Sequence, residues 1–380
     1  MTITVGVLSA ISLISCAYCV ACLIATFAFI RCRSSARPAA NLPPLSLLKP
    51  VKGTDPRMYE TLRSYCIQQY PAFEIVFGVN TGPDPALRII EALRREYPEQ
   101  NIRIVICDQT IGSNRKISNL AAMAKAAFHE VIVVSDSDIR VPPDYLSTIA
   151  TELESSNVGL VTCLYAAVPA RGVWSQIEAL GVNTDFTPGV LVARLMEGGL
   201  RFGFGSTLAL RKNDLQRIGG FEVIADYLAD DYQLGARIAT LGMKVQLSNV
   251  VVENLLPAYD FADFMSHQLR WARTIRSSRP TGYAGLPVTF TFFWALLVLI
   301  VTTMSPGAVM LFVIACLLRF LTALLAARFV LRDQSFFRSV WFLPVRDLLA
   351  PAIWLAGLVG STIVWRGQVF KLRKGKLIAL

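Results

Sequence analysis

Val131-Ile132-Val133-Val134-Ser135-Asp136-Ser137-Asp138 runs from four β-branched apolar residues into two carboxylates, one residue apart. Such a run fits a strand buried on both faces, as in a parallel sheet, where polar and apolar residues need not alternate. Similar runs occur at residues 45–48, 75–79 and 102–106, and between them lie helical patterns at 58–69, 85–97 and 118–128. Strands alternating with helices predict an α/β domain built on a mainly parallel, Rossmann-like sheet. Ligands of such sheets bind beyond the carboxyl ends of the strands. Asp84 and Asp136 each follow one of those ends.

The next part of the chain has weaker strand signals, at 160–164, 207–210 and 244–247, and is expected to form the acceptor side of the domain. Residues 198–205 (GGLRFGFG) resemble a dinucleotide fingerprint, but the glycine spacing is wrong and no helix clearly follows. A structural turn is expected there.

At 380 residues the chain has room for one large domain and several membrane segments. Its mean hydropathy of +0.49 and 54% hydrophobic content, against 17% charged residues, are too apolar for an ordinary soluble enzyme. The net charge of +10 fits basic flanks on membrane segments, since no nucleic-acid motif or basic-aromatic stripe is present. The eight cysteines form neither a disulfide framework nor a zinc pattern, and Cys16, Cys19 and Cys22 lie inside an apolar helix.

Residues 5–30 carry no charge and are long enough to cross ~30 Å of hydrocarbon. Arg31, Arg33 and Arg37 follow, which places the next segment in the cytoplasm by the positive-inside rule. Residues 286–304 and 308–331 read as a membrane hairpin joined at Ser305-Pro306-Gly307. A third apolar stretch, 348–365, is interrupted by Pro351 and two glycines, and is either spanning or re-entrant.

Asp136 and Asp138 form a D-x-D that could bind Mg²⁺ or Mn²⁺ together with diphosphate oxygens, although such pairs also occur in plain solvated turns. Asp84 could accept hydrogen bonds from a nucleoside, or simply cap the helix after Pro85. Asp230 and Asp231 precede a helical stretch at 232–241, and adjacent carboxylates raise each other's pKa, as suits a general base. In His267-Gln268-Leu269-Arg270-Trp271, Arg270 offers a fork of donors for diphosphate and Trp271 a flat face for an acceptor. An interfacial amphipathic helix would show the same residues.

The order Asp84, Asp136-x-Asp138, Asp231, x-x-Arg270-Trp271 resembles the inverting family 2-type glycosyltransferases and, more closely, the ceramide glucosyltransferase family (family 21). Leu47-Leu48-Lys49-Pro50-Val51-Lys52-Gly53, Asp55-Pro56, Lys116-x-x-Asn119 and Asp230-Asp231-Tyr232 support it. The similarity runs from about Pro44 to Arg279 and extends to the flanking membrane segments. Within the family the chain looks most like the bacterial hopanoid-biosynthesis branch, which glycosylates bacteriohopanetetrol with N-acetylglucosamine.

The resemblance implies a GT-A-type fold. It makes Asp84, Asp136 and Lys116 donor contacts, Asp136 and Asp138 the metal carboxylates, Asp231 the base, and His267, Arg270 and Trp271 the closing motif. Two departures stand out. The family's last motif usually begins with Gln or Arg, where His267 stands here, and animal ceramide enzymes have Gly in place of Asp138.

The expected organisation is a transmembrane helix at 1–31, a cytoplasmic GT-A domain at 44–252, interfacial helices at 253–280, a membrane hairpin at 286–331, and a last membrane segment with a basic tail at 340–380. The expected function is transfer of a sugar from UDP-GlcNAc or UDP-Glc to a membrane lipid hydroxyl, with Mg²⁺ or Mn²⁺ as cofactor. A hopanoid polyol is the first acceptor and ceramide the alternative. The expected partners are the donor, the lipid and the bilayer, with no nucleic acid or obligate protein, in the inner membrane. A processive polysaccharide synthase would share the motif order but needs more helices for a channel. A non-enzymatic sugar- or lipid-binding protein would have lost the acidic residues, and all are present.

Overall fold

All four strong apolar runs form strands: β1 (Leu45–Pro50), β2 (Phe73–Asn80), β3 (Asn101–Cys107) and β4 (Val131–Val134). The computed structural model describes residues 2–33 and 42–379. Four further strands, β5 (Ile139–Arg140), β6 (Val158–Val168), β7 (Leu208–Arg211) and β8 (Lys244–Leu255), complete an eight-stranded sheet of order β3-β2-β1-β4-β7-β6-β8-β5. β1 runs parallel to both its neighbours, with Leu47 opposite Ile75 on one side and Val133 on the other. β2 and β3 are also parallel. β7 is antiparallel to β4 and to β6, and β5 is antiparallel to β8.

The chain moves outward from β1 to β2 and β3, then returns to the other flank of β1 as β4. Strand order therefore reverses between β1 and β4. That reversal opens the crevice in which α/β sheets of this kind bind ligands, and Asp136 stands directly beyond β4. Every residue of β1 and β4 is buried, as the unbroken apolar runs require.

The chain divides into two compact units. The sheet unit comprises Ser34–Tyr165, Glu197–Pro257 and Gly375–Leu380. The apolar unit comprises Met1–Arg33, Ala166–Met196 and Ala258–Lys374. The run 44–252, expected as one continuous domain, is thus interrupted. After the end of β6 this stretch is helical from Val173 to Met196, and its Trp174 and Ile177 share an apolar cluster with Phe264, Tyr283 and Ile353.

Several boundaries differ from expectation for identifiable reasons. The helix expected at 118–128 is Arg115–Ala126, because Asn114 caps it by accepting from the Lys116 and Ile117 amides at 3.0 and 3.3 Å. The helix expected at 232–241 is Asp230–Thr240, which puts both carboxylates in its first turn. β6 and β8 are longer than 160–164 and 244–247; in β8, Gln246, Ser248 and Asn249 interrupt the apolar signal without ending the strand. β8 continues to Leu255, so the region expected as helical from 253 begins with strand, and its first helix is Phe261–Ser278.

Among the described residues three helices, all in the apolar unit, are long and apolar enough to cross a membrane: Ile3–Cys32, Pro306–Val330 and Phe336–Leu358. A fourth candidate is bent by 51° between Pro280–Thr289 and Thr291–Val301. The single helix expected at 286–304 is therefore broken. Pro287 lies in a 3-10 turn, Phe290 is non-helical, and positive φ at Thr303 and Met304 ends the helix early. The hairpin turn consequently precedes Pro306, which starts the next helix rather than lying in the junction. The stretch 348–365 is also corrected. The helix Leu343–Leu358 ends at an extended Val359, and Thr362–Trp365 (β9) pairs antiparallel with Gln368–Arg373 (β10).

Candidate active site

The reversal crevice is lined from both flanks of β1. Beyond β2, Asp84 accepts from the Gly53 amide with both oxygens, each at 3.1 Å, and from the Ala86 amide at 2.9 Å. It is thus a helix cap, as its place before Pro85 foretold. It also ties the loop after β2 to the loop after β1.

Beyond β4, Lys116 Nζ lies 2.7 Å from Asp136 Oδ1 and 3.0 Å from Asp230 Oδ2. One ammonium therefore joins the D-x-D loop to the start of the Asp230–Thr240 helix. Burial alone would lower the Lys116 pKa, but Asp136, Asp230 and Asp231 outweigh it and raise it.

Gly205 completes the junction. Its amide donates to Asp231 Oδ2 at 2.8 Å, and its carbonyl accepts from the Asp136 amide at 3.1 Å. A Cβ on residue 205 would stand 2.4 Å from Asp136 Oδ2, so a side chain here would push the Asp136 carboxylate out of its place. The 198–205 stretch is a turn with no helix at its end, as expected. Its last glycine belongs to the site, which the sequence reading had not included.

The two members of the acidic pair differ. Asp230 is 6% exposed and lies beside Lys116 and within 3.5 Å of Asn114 Nδ2. Asp231 remains partly open, held by the Gly205 amide and by its neighbour's Tyr232 amide at 2.7 Å. Burial and the Asp230 charge push the Asp231 carboxyl up to about 6, against the pull of Lys116. An oriented, partly open carboxylate that binds a proton near neutrality has the properties of a general base.

Lys49 lies near the end of β1. It is fully buried, with Nζ donating to the Asp136 carbonyl at 2.5 Å and lying 3.9 Å from the centre of the Tyr65 ring. Burial pulls its pKa down to about 7, opposed by Asp136, Asp138 and Asp55. Asp138 shows the reverse. Burial, then Asp136 and Asp55, push its carboxyl up to about 7.

Among the described residues no group of three or more His, Cys, Asp or Glu side chains is placed to hold a metal. Asp138 Oδ1 is nonetheless buried without a hydrogen-bond partner. A hard divalent cation taking one or two carboxylates, with substrate phosphates and water completing its shell, fits that orphaned oxygen.

His267, Arg270 and Trp271 lie on the Phe261–Ser278 helix of the apolar unit. There His267 Nδ1 is 2.9 Å from Glu178 Oε1, and Gln268 Nε2 donates to Glu178 Oε2 at 2.6 Å. Glu178 is buried and orients both. It was missed because nothing in its local sequence marks it. The Trp271 ring packs edge-on against Phe186 at 6.0 Å and lies 5.8 Å from the His267 ring, which itself stacks on Tyr259.

The model of one protein family, "Glycosyl transferase family 21", matches residues 7–378. The chain belongs to glycosyl transferase family 21. It is therefore a hexosyltransferase, and its α/β unit is the GT-A-type domain expected from the motif order. Ceramide glucosyltransferase 3 of Caenorhabditis elegans is 25% identical over 371 residues, covering 95% of this chain and 79% of that protein. Ceramide glucosyltransferase of Komagataella phaffii is 34% identical over 149 residues, covering 37% and 29%. Among solved structures, the mannosyltransferase PcManGT from Pyrobaculum calidifontis, in complex with GDP-Man and Mn²⁺, is similar at 18% identity and a TM-score of 0.49, over 92% of this chain and 97% of that one. A likeness that slight says nothing about this enzyme's chemistry.

Proposed function

We propose that this family 21 enzyme transfers a sugar from a UDP-sugar to a hydroxyl of a membrane lipid, with inversion at the anomeric carbon. The observation that carries the reading is Asp231, a partly open carboxylate fixed by the Gly205 amide and tuned to about 6. Asp231 would take the proton of the acceptor hydroxyl as its oxygen attacks the anomeric carbon from the face opposite the diphosphate. One base suffices for inversion, and Asp230 is too enclosed and too tied to Lys116 to compete for that role.

On the donor side, Asp84 and the Gly53 loop would receive the nucleoside. Asp136 and Lys116 would face the diphosphate, whose arrival gives the Lys116 ammonium a second set of anionic partners. Asp136 and Asp138 would hold Mg²⁺ or Mn²⁺, which supplies charge neutralisation for the leaving diphosphate. Arg270 would add a second clamp on the diphosphate, and Trp271 a water-excluding face for the acceptor, with His267 steadied by Glu178.

A lipid acceptor is supported by the three helices able to cross a membrane. The motif resemblance favours UDP-N-acetylglucosamine with a hopanoid polyol such as bacteriohopanetetrol. The relatives' names favour UDP-glucose with ceramide, and the first of them matches along nearly the whole chain. The positive residues after the first helix favour an inner-membrane enzyme with its sheet unit in the cytoplasm.

The test is to incubate the purified protein in nanodiscs with each UDP-sugar and each lipid, and to identify products by mass spectrometry. A glycolipid from one of the four pairings is expected. UDP release without any glycosylated lipid would refute lipid transfer, and polymer growth would favour a synthase.

A further inference from the structure

Inside the apolar unit lies a charged cluster that neither the donor site nor the closing motif uses. Arg319, on the Pro306–Leu324 helix, is 6% exposed and fully engaged. Its Nε donates to both Asp347 oxygens at 3.2 and 2.9 Å, and its Nη2 to Asp347 Oδ1 at 2.8 Å and Asp185 Oδ1 at 2.6 Å. Its Nη1 reaches the Thr184 carbonyl at 3.1 Å and Nη2 the Thr184 hydroxyl at 3.2 Å. Arg319 is therefore satisfied, and holds three elements together.

Arg346 is not satisfied. Its Nε stands 3.5 Å from Asp185 Oδ2, too far for a good hydrogen bond, and among the described residues Nε and Nη1 are buried with no hydrogen-bond partner. The guanidinium lies against the backbone of Gly181, where a Cβ would come within 2.6 Å of Nε. A glycine has kept that space clear. Thr184 and Asp185 sit on the π-helix Val182–Phe186, a rare local geometry that recurs at functional sites. Phe186, the last residue of that turn, packs on Trp271. The cluster opens at Asp185, whose side chain is 35% exposed, against 12% for Arg346, 9% for Asp347 and 7% for Arg319.

Ionisable groups among apolar helices are costly, and ordinarily every one of their donors is used. Here two buried donors of Arg346 are left over beside a carboxylate that can be reached. The cluster has two arginines and two aspartates, so its formal charge is zero and it offers an anion no net attraction.

We propose that this cluster receives the uncharged, hydroxylated head of the acceptor lipid. The head group enters at the open Asp185, which accepts from one of its hydroxyls, and the Arg346 guanidinium turns to donate Nε and Nη1 to head-group oxygens. The proposal rests on the lipid-acceptor reading above, and both a hopanoid polyol and a ceramide present such a head.

The test compares wild type with Arg346→Met and Arg346→Lys in nanodiscs containing either ceramide or bacteriohopanetetrol. Lipid KM, kcat and hydrolysis of the UDP-sugar by water are measured, and native mass spectrometry reads which lipid is retained. Arg346→Met is expected to raise the lipid KM about tenfold or more, from the loss of charge-assisted hydrogen bonds, and to hurt transfer far more than hydrolysis. Arg346→Lys should recover part of the loss. An unchanged lipid KM, or equal losses of transfer and hydrolysis with a lowered Tm, overturns the proposal in favour of a purely structural cluster. Should Arg346→Met fail to assemble, Gly181→Ala displaces the same guanidinium, and an unchanged lipid KM there is equally fatal. If the wild type glycosylates neither lipid, the lipid-acceptor reading has failed. The cluster is then judged by retention alone, with lipid held by wild type and lost from Arg346→Met supporting it, and equal retention overturning it.

Discussion

At the scale of the residue, the site depends on separating carboxylates that would otherwise repel each other. Lys116 lies between Asp136 and Asp230, Lys49 holds the D-x-D loop through the Asp136 carbonyl, and Asp231 is left with two backbone amides and a raised pKa. The sign of the resulting pH dependence is fixed. Below about 6 Asp231 is protonated and cannot accept a proton, so kcat/KM for transfer should fall about tenfold per pH unit on the acid side of 6. A pH–rate profile without that limb would remove Asp231 as the base. Asp231→Asn should lose about 100-fold or more in turnover while keeping donor affinity, and isothermal titration with UDP separates the two effects. Gly205→Ala tests the junction itself. Its Cβ would meet Asp136 Oδ2 at 2.4 Å, so activity should collapse while the circular dichroism of the sheet remains. Near-normal activity would show that the two loops need not meet.

At the scale of the element, the sequence revealed what is short, apolar and locally determined. The runs at β1 to β4 declared themselves because both faces are buried. Asp84 and Asp136 are proposed as site residues because they follow strand ends. Gly205, Lys49, Asn114 and Glu178 were not legible, since each owes its role to a partner far away in the chain. β8 was cut short for a related reason, because its polar residues hide the period. The bend at Phe290 and the strand at Thr362–Trp365 were hidden inside stretches whose hydrophobicity is real but whose geometry is set by Pro287 and by the extended Val359. Asn114 carries a prediction at this scale. It caps the Arg115–Ala126 helix and also donates to the Tyr227 carbonyl at 2.8 Å. Asn114→Ala should cost about 1 kcal/mol, or roughly 2–4 °C in Tm, and weaken donor binding by more than that, because Lys116 is the second residue of the helix it caps. A lowered Tm with unchanged donor KM would show that the cap does not position Lys116.

At the scale of the whole molecule, the family membership, the α/β sheet and the apolar helices were all readable from motif order and composition. The division of the chain was not. Ala166–Met196 lies between two sheet segments in sequence yet joins the apolar unit, because its helices supply faces for the Phe264, Tyr283 and Ile353 cluster. The same segment carries Glu178, which holds His267 and Gln268, and Asp185, at which the buried charge cluster opens. One stretch that looked like part of the catalytic domain thus supplies acidic partners for the buried basic and polar side chains of the apolar unit.

The central claim is that a single base, Asp231, drives inverting transfer to a lipid. The most direct measurement is the anomeric configuration of the glycolipid that the purified enzyme makes from an α-linked UDP-sugar, read from the proton coupling constant by NMR. The account predicts a β-linked product from wild type and none from Asp231→Asn. An α-linked product, or a β-linked one formed equally well by Asp231→Asn, would contradict it.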